Sequence, residues 1–491
     1  MTTPASSPRP LRVLFSAETP LSLTSYQSVI SELGRRGHEV VIAIHEEREI
    51  GWRDRLLEEI AAPHVTVEAA VSPERDRWLE LGADLRSSID LFEFLGPQFN
   101  ETYRARARRR APKPAVALAR TPLAKSAVAR RTIAAAFELA ENALPTNAEI
   151  ERYLAAKRPD VVLFTPYLGL RSAQPAFLRA ARALGLRTAV LVKSWDNLSS
   201  KSVIRPIPDR LFVWNEVQRD EARRLHGIDP AQVVVTGAQC FDEWFEWQPR
   251  PWAEFAARAG LDSDRQFVLY ACCSPWTGQS EVDFVRRWTE ALRARGGATA
   301  ELGVLVRPHP KRPDAWDGVD IPGVVVFPQA GHAPTDDESK ADYFDSIHHS
   351  RAVVGLNTSA MIEAAIVGRP VLTVLDPEYE RVQQGTLHFR YLLEVGGGLL
   401  TVARTLDEHA AQLERAIAAG DDGRSGRFVA EFVRPYGLDV VATPLFVDEL
   451  ERFAASSAPA PQRTPVPLRA IRPLLAPLAT RAARVAHAGE A

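Results

Sequence analysis

Leu302-Gly303-Val304-Leu305-Val306-Arg307-Pro308-His309-Pro310 opens the stretch that decides the fold. It continues through Val353-Val354-Gly355-Leu356-Asn357-Thr358-Ser359, then Ala360 to Gly368, then Arg369-Pro370-Val371-Leu372-Thr373-Val374-Leu375, and ends at Pro377. The reading is strand, helix, strand, helix, strand. Each strand is a short continuous apolar run, which suits a parallel sheet covered on both faces. Such sheets bind ligands at the carboxyl ends of their strands. His309 and Asn357-Thr358-Ser359 directly follow strands, and this position makes them the first functional candidates.

Working outward, 491 residues predict two or more packed domains. A hydrophobic fraction of 46% and a charged fraction of 25% are those of a water-soluble globular chain. The net charge of -2 favours no polyanionic partner. Cys240, Cys272 and Cys273 lack CxxC spacing and a neighbouring His cluster, which argues against a disulfide framework or structural zinc and for a reducing compartment. The Pro/Ser-rich residues 1–10 do not read as a signal peptide. No run approaches the roughly 18 apolar residues needed to span a bilayer. The expected location is cytoplasmic, or peripheral on the inner membrane face.

From the amino end, Leu11 to Phe15 predicts a buried strand. A loop carrying Glu18 follows, then a helix opened by a Thr24-x-x-Gln27 capping box, and a strand from Glu39 to Ile44. His38 reads as a structural turn residue. Residues 52–150 read as a largely helical insertion broken by prolines. From Arg104 to Phe137 it contains no acidic residue, so Arg104–Arg131 is either a solvated basic face or a platform for an anionic membrane or phosphate-bearing acceptor. Nucleic acid is not expected, because no aromatic interleaving accompanies the charge. Strands are predicted again at 160–164, 188–192, 209–214 and 233–237. The polar loop Lys193 to Lys201, with Asp196, lies at the end of the second of these. After a crossover at 238–265 come a strand at 267–272, a helix to about Arg295, the deciding stretch, a short strand within 386–400, a helix at 406–419 and closing helices to Phe453. The tail from 455 is rich in Pro, Ala and Arg and predicts disorder, with a weak surface anchor as the alternative.

Arg-Pro-His-Pro, followed by Gly-x-Asn-Thr-Ser-x-x-x-Glu-Ala-x-x-x-Gly-x-Pro-Val, resembles GT-B glycosyltransferases. Within them the likeness is to surface-polysaccharide enzymes, the CDP-glycerol glycerophosphotransferases and capsular sialyltransferases, with relation to the UDP-N-acetylglucosamine 2-epimerases. It covers about residues 11–50 and 159–453. It implies an α/β fold of two doubly wound, Rossmann-like parallel-sheet domains with a cleft between. The expected division is an acceptor domain at 11–238 carrying the insertion, a nucleotide-donor domain at 265–427, closing helices at 428–454 and the tail at 455–491.

On that resemblance, Asn357, Thr358 and Ser359 bind donor phosphate at a helix N-terminus, and simple N-capping is the alternative. Glu363, the one charge on an apolar helix, meets ribose hydroxyls. His309 assists departure of the phosphate, with Arg307 as a second positive charge. Asp376 and Glu378 bind donor hydroxyls. The base is Glu18 or Asp196; the acidic pair before glycine that the sialyltransferases use has no clear copy here. The expected activity is metal-independent transfer of a glycosyl or glycerophosphoryl group. The donor is UDP-, CDP- or CMP-linked, and the acceptor is a cell-surface glycan or lipid-linked molecule. No cofactor is expected. The alternatives are a sugar-nucleotide 2-epimerase, for which Gln383-Gln384-Gly385-Thr386 is a loose likeness, and a non-catalytic glycan-assembly protein.

Overall fold

The structure, a computed structural model, describes residues 9–46, 58, 60, 62–72, 76–167, 169–274, 280–329, 334, 336–420 and 422–488. The sequence reading of residues 1–8, most of 47–61, 73–75 and 489–491 lies outside these. The chain divides into two compact units, residues 1–240 with 441–491, and residues 241–440.

The first unit holds a seven-stranded parallel sheet. Its strands are β1 (Arg12–Ala17), β2 (Glu39–Ile44), β3 (Val65–Ala69), β4 (Val161–Thr165), β5 (Arg187–Leu191), β6 (Arg210–Val213) and β7 (Val233–Val235), in the spatial order β3-β2-β1-β4-β5-β6-β7. Both faces are covered, as the apolar runs predict. Val13, Phe15 and Leu163 pack on one side with Ile30 and Leu33 of the helix Gln27–Arg35. Leu14, Val162 and Phe164 pack on the other with Leu154 and Phe177. The helix Ala442–Ala455 returns to this unit and buries Phe446, Val447 and Leu450 on the first face. Each such burial is worth roughly 1.5–3 kcal/mol, enough to fix where the chain returns.

The second unit holds a six-stranded parallel sheet of β8 (Phe267–Ala271), β9 (Gly303–Arg307), β10 (Val324–Val326), β11 (Val353–Val354), β12 (Val371–Val374) and β13 (Thr401–Ala403). Their order is β10-β9-β8-β11-β12-β13. The strand order therefore reverses between β1 and β4 in one sheet and between β8 and β11 in the other. In open α/β sheets such switch points are where ligands sit.

Four expectations need correction. The insertion is not wholly helical, because β3 adds an edge strand to the first sheet. The turn after β1 is capped by Thr19 with Ser22, not by Thr24. Pro20, with φ preset for a first helical turn, starts a 3-10 turn over Pro20–Tyr26, and the Thr24 hydroxyl donates to the Leu21 carbonyl. The segment 386–400 forms a helix, Leu387–Glu394, and the strand comes later as β13.

The tail is ordered. Gln462 N–H donates to the Arg182 carbonyl at 2.8 Å, and Pro459 lies so close to Gly185 that a Cβ there would meet its carbonyl at 2.9 Å. The helix Arg472–Ala488 then buries Leu475, Ala479 and Ala482 against Leu81, Leu85 and Leu144. Pro473 stands in the first helical turn, where a missing N–H costs nothing. The apolar stripe outweighs the interruption at Pro477.

Candidate functional site

At the carboxyl end of the second sheet, two adjacent cysteines tie three strand ends together. Cys272 N–H donates to the Arg307 carbonyl at 3.1 Å, and the Cys273 thiol accepts the Asn357 N–H at 3.0 Å. Cys273 N–H and Tyr270 Oη–H both donate to Glu281, at 2.8 Å each. Burial pushes both thiols and the Glu281 carboxyl upward, and the junction is a packed support. The loops after β9 and β11 stand on it.

His309 is partly buried, and its Nδ1 accepts the Lys311 N–H at 3.1 Å. Burial, reinforced by Lys311, holds its pKa down to about 4. The ring is therefore neutral near pH 7. With Nδ1 occupied as an acceptor, its proton is on Nε2, which is a donor.

Asn357 Nδ2 donates to the Val382 carbonyl and to Thr386 Oγ1, binding the 382–386 turn to the switch point. Thr358 Oγ1 accepts the Ala360 N–H at 3.5 Å. Ser359 is the N-cap of the helix Ala360–Ile366. It is exposed and makes no side-chain capping bond.

Arg307 and Glu363 meet a residue the sequence reading missed. The Arg307 guanidinium lies 4.7 Å from the centroid of the Tyr343 ring, and the Tyr343 hydroxyl hydrogen-bonds the Glu363 carboxyl. Arg307 is 7% exposed and donates to the Asp342 carbonyl and Ser346 Oγ; burial lowers its pKa to about 10. It faces the helix Asp337–His348 and does not extend the strand end toward solvent. Burial raises Glu363 to about 7, against the opposing pull of Tyr343 and Arg307. Asp376 and Glu378 share one partner, Arg287, at 3.1 and 2.9 Å. Asp336 caps the helix Asp337–His348 by accepting the Ser339 N–H at 2.8 Å.

In the first unit Glu18 immediately follows β1, at the switch point. Its N–H donates to the Thr165 carbonyl at the end of β4, and its own carbonyl accepts the Glu46 N–H. Gly169 leaves room for the carboxylate, since a Cβ there would lie 3.0 Å from Oε1. Beside it, Ser16 Oγ and His45 Nε2 share a 2.7 Å hydrogen bond, and burial lowers His45 to about 4. His45 directly follows β2, so the rule that singled out Glu18 and His309 would have found it too.

Asp196 follows β5, away from the switch point, and has local partners for both oxygens. Oδ1 accepts from Ser194 Oγ at 2.8 Å, while Oδ2 accepts from Ser200 Oγ at 2.8 Å and pairs with Lys201 at 3.1 Å. This is the bonding of a loop organiser.

The fold has counterparts among solved structures. UDP-GlcNAc 2-epimerase from Neisseria meningitidis, bound to UDP-GlcNAc, superposes with a TM-score of 0.52 at 12% identity, over 90% of this chain and 100% of that one. A glycosyltransferase from Rickettsia africae superposes at 0.52 with 8% identity, over 91% and 100%. UDP-GlcNAc 2-epimerase from Methanocaldococcus jannaschii gives 0.50 at 12%, over 90% and 100%. No family model and no curated protein sequence matches the chain. Identities this low establish the architecture alone. That architecture is the GT-B glycosyltransferase fold, which the 2-epimerases share.

Proposed function

We propose that the protein is a GT-B transferase that moves a glycosyl or glycerophosphoryl group from a nucleotide-activated donor to a cell-surface glycan or lipid-linked acceptor. His309 carries the reading. It is a neutral imidazole at a strand's carboxyl end, with Nδ1 occupied and Nε2–H left as a donor. Such a donor stabilises negative charge appearing on a leaving phosphate and need not first be protonated.

In the proposed step the acceptor hydroxyl oxygen bonds to the donor's anomeric carbon, or to phosphorus in glycerophosphoryl transfer. The bond from that atom to the departing nucleotide's phosphate oxygen breaks, and the electron pair leaves with the phosphate. The hydroxyl proton passes to a carboxylate, for which we choose Glu18 over Asp196 because Glu18 occupies a switch point. The Nε2–H of His309 and the Thr358 and Ser359 hydroxyls receive the leaving phosphate. Glu363 takes ribose hydroxyls with Tyr343 as its orienting partner, and Asp376 and Glu378, held by Arg287, face donor hydroxyls. Arg307 acts through Tyr343 as a positioning residue. No metal is required, and the reaction runs on the cytoplasmic side, where activated nucleotides are available.

The epimerase superpositions favour a second reading, 2-epimerisation of a UDP-sugar. Against it, Gln383 is buried and donates to the Leu356 and Val374 carbonyls, a bracing role in the sheet. Incubation with UDP-, CDP- and CMP-linked donors, with and without a glycan or lipid-linked acceptor, separates the readings. Acceptor-dependent nucleotide release supports transfer. A changed sugar with the nucleotide still attached establishes epimerisation, and neither change leaves a non-catalytic assembly protein.

A further inference from the structure

Two acid-free stretches, remote in sequence, lie together in the first unit. No Asp or Glu occurs between Glu101 and Glu138, and none between Glu451 and Glu490. The helix Arg472–Ala488 packs on Arg77–Phe94, and Leu468 and Ile471 join Phe137 and Ala140 of the helix Ala127–Asn142 in the same small core. Arg472 Nε–H donates to the Ala143 carbonyl at 2.7 Å and fixes the junction.

Having buried one face, these helices carry a second apolar stripe outward. On the last helix Leu474, Leu478 and Val485 are 75%, 50% and 64% exposed, at a spacing that puts them on one side with Arg481. Leu123, in the turn Pro122–Lys125, and Val128 and Leu139, in the helix Ala127–Asn142, are likewise exposed. With Val466, seven of the eleven exposed large apolar side chains among the described residues fall on these packed segments, a concentration that singly scattered exposure does not explain. Lys125, Arg131, Arg469, Arg481 and Arg484 are exposed among them and form no salt bridge with any described residue.

We propose that this layer, residues 122–142 with 466–485, in which Glu138 is paired with Arg205 and the buried Glu141 with Arg86 and Arg179, docks the protein on the surface of an anionic phospholipid bilayer. Aliphatic side chains interleaved with Arg and Lys on surface helices match the boundary between headgroups and acyl chains. A second copy of the chain is a poor occupant, because a two-fold contact would press like charges together. A nucleic acid would use the cations and leave the Leu and Val stripe exposed to water. No described helix is long and apolar enough to cross the membrane, so attachment is to the surface. Each cation held near the anionic leaflet raises the partition coefficient about fivefold at low salt, and salt screens this gain.

Docking does not depend on the transfer reaction, so it is read without substrate. The full chain is sedimented with vesicles of phosphatidylcholine alone or mixed equally with phosphatidylglycerol. Binding is expected to the mixed vesicles at low salt and to fall steeply at 0.5 M salt, where the Debye length is about threefold shorter than at 0.05 M. Arg481→Glu with Arg484→Glu should cut partitioning at least tenfold, and Leu474→Ser with Leu478→Ser at least fivefold. Both sets of residues are exposed, so the thermal midpoint should stay at the parent value, and Arg481→Gln gives a milder check. Equal binding to neutral vesicles, no binding to either, or unchanged binding by both double variants overturns the proposal. So does vesicle-free self-association that the same substitutions abolish.

Discussion

Replacing Glu363 by Gln tests the electrostatics of the helix Ala360–Ile366 directly. In the unfolded chain this carboxyl titrates near 4.5, and in the folded protein burial raises it to about 7. Below pH 4.5 both states hold the proton and the group leaves stability unchanged. Between the two values the unfolded state ionises while the folded state keeps its proton, so stability falls as pH rises. Above 7 the loss is complete, at about 3 kcal/mol, of which about 2.5 kcal/mol falls between pH 5 and 8. Gln keeps an oxygen acceptor toward the Tyr343 hydroxyl and removes the titration. For the second unit of about 200 residues, that difference corresponds to a midpoint shift of about 5–10 °C. Scanning calorimetry of the full chain at several pH values reads it as the difference between parent and variant slopes, in which all other titrating groups cancel. The parent midpoint should fall more steeply with pH, and the variant should be the more stable protein at pH 8. Parallel slopes would refute the reasoning, because they would mean that the carboxylate ionises as freely as one on the surface.

Three further outcomes follow from the proposed chemistry. His309→Ala should lower kcat by about tenfold or more while changing donor affinity by less; equal losses in titration calorimetry and turnover would make it a binding residue only. Glu18→Gln should reduce transfer by about 10²–10⁴ with donor binding retained, whereas Asp196→Asn should lower the thermal midpoint through its Ser194 and Ser200 contacts; the reverse pattern would exchange their roles. Turnover should persist in excess EDTA, and a loss restored by Mg²⁺ or Mn²⁺ would direct attention to Asp336 and Asp337.

Much of the fold was legible because a parallel strand buried on both faces writes itself as an apolar run. All five residues of β4 and all five of β8 are buried, and both were read within a residue or two of their ends. β3 escaped because, as an edge strand, it has no fully buried residue and includes Glu68 among its five residues, so it leaves no continuous apolar run. The tail misled for another reason. Its prolines signal interruption, and the residues that hold it in place, Leu81, Leu85 and Leu144, lie more than 300 positions earlier. Local composition carries no record of so distant a partner.

The candidate site divides along the same line. That a polar residue follows a strand can be read from sequence, and it selected Glu18, Asp196, His309 and Asn357 alike. Whether its polar atoms meet neighbours is a property of the fold. Asp196 has serines two residues before and four after it, so its local bonding could have been suspected. Tyr343 could not have been. It lies twenty residues before Glu363, on another helix, and it joins that carboxyl to Arg307 through a ring face on one side and a hydroxyl on the other. Position in the sheet then separates the candidates further. Glu18 follows β1, where the strand order reverses, while β4 stands between β1 and the strand that carries Asp196. In the second sheet the reversal falls between β8 and β11, with Asn357, Thr358 and Ser359 after one and the cysteine support after the other, and His309 is one strand away. A switch point opens a crevice because neighbouring connections depart to opposite sides. Topology therefore argues for Glu18 and for the 357–359 loop by the same physical cause, on two sheets whose sequences share no evident motif.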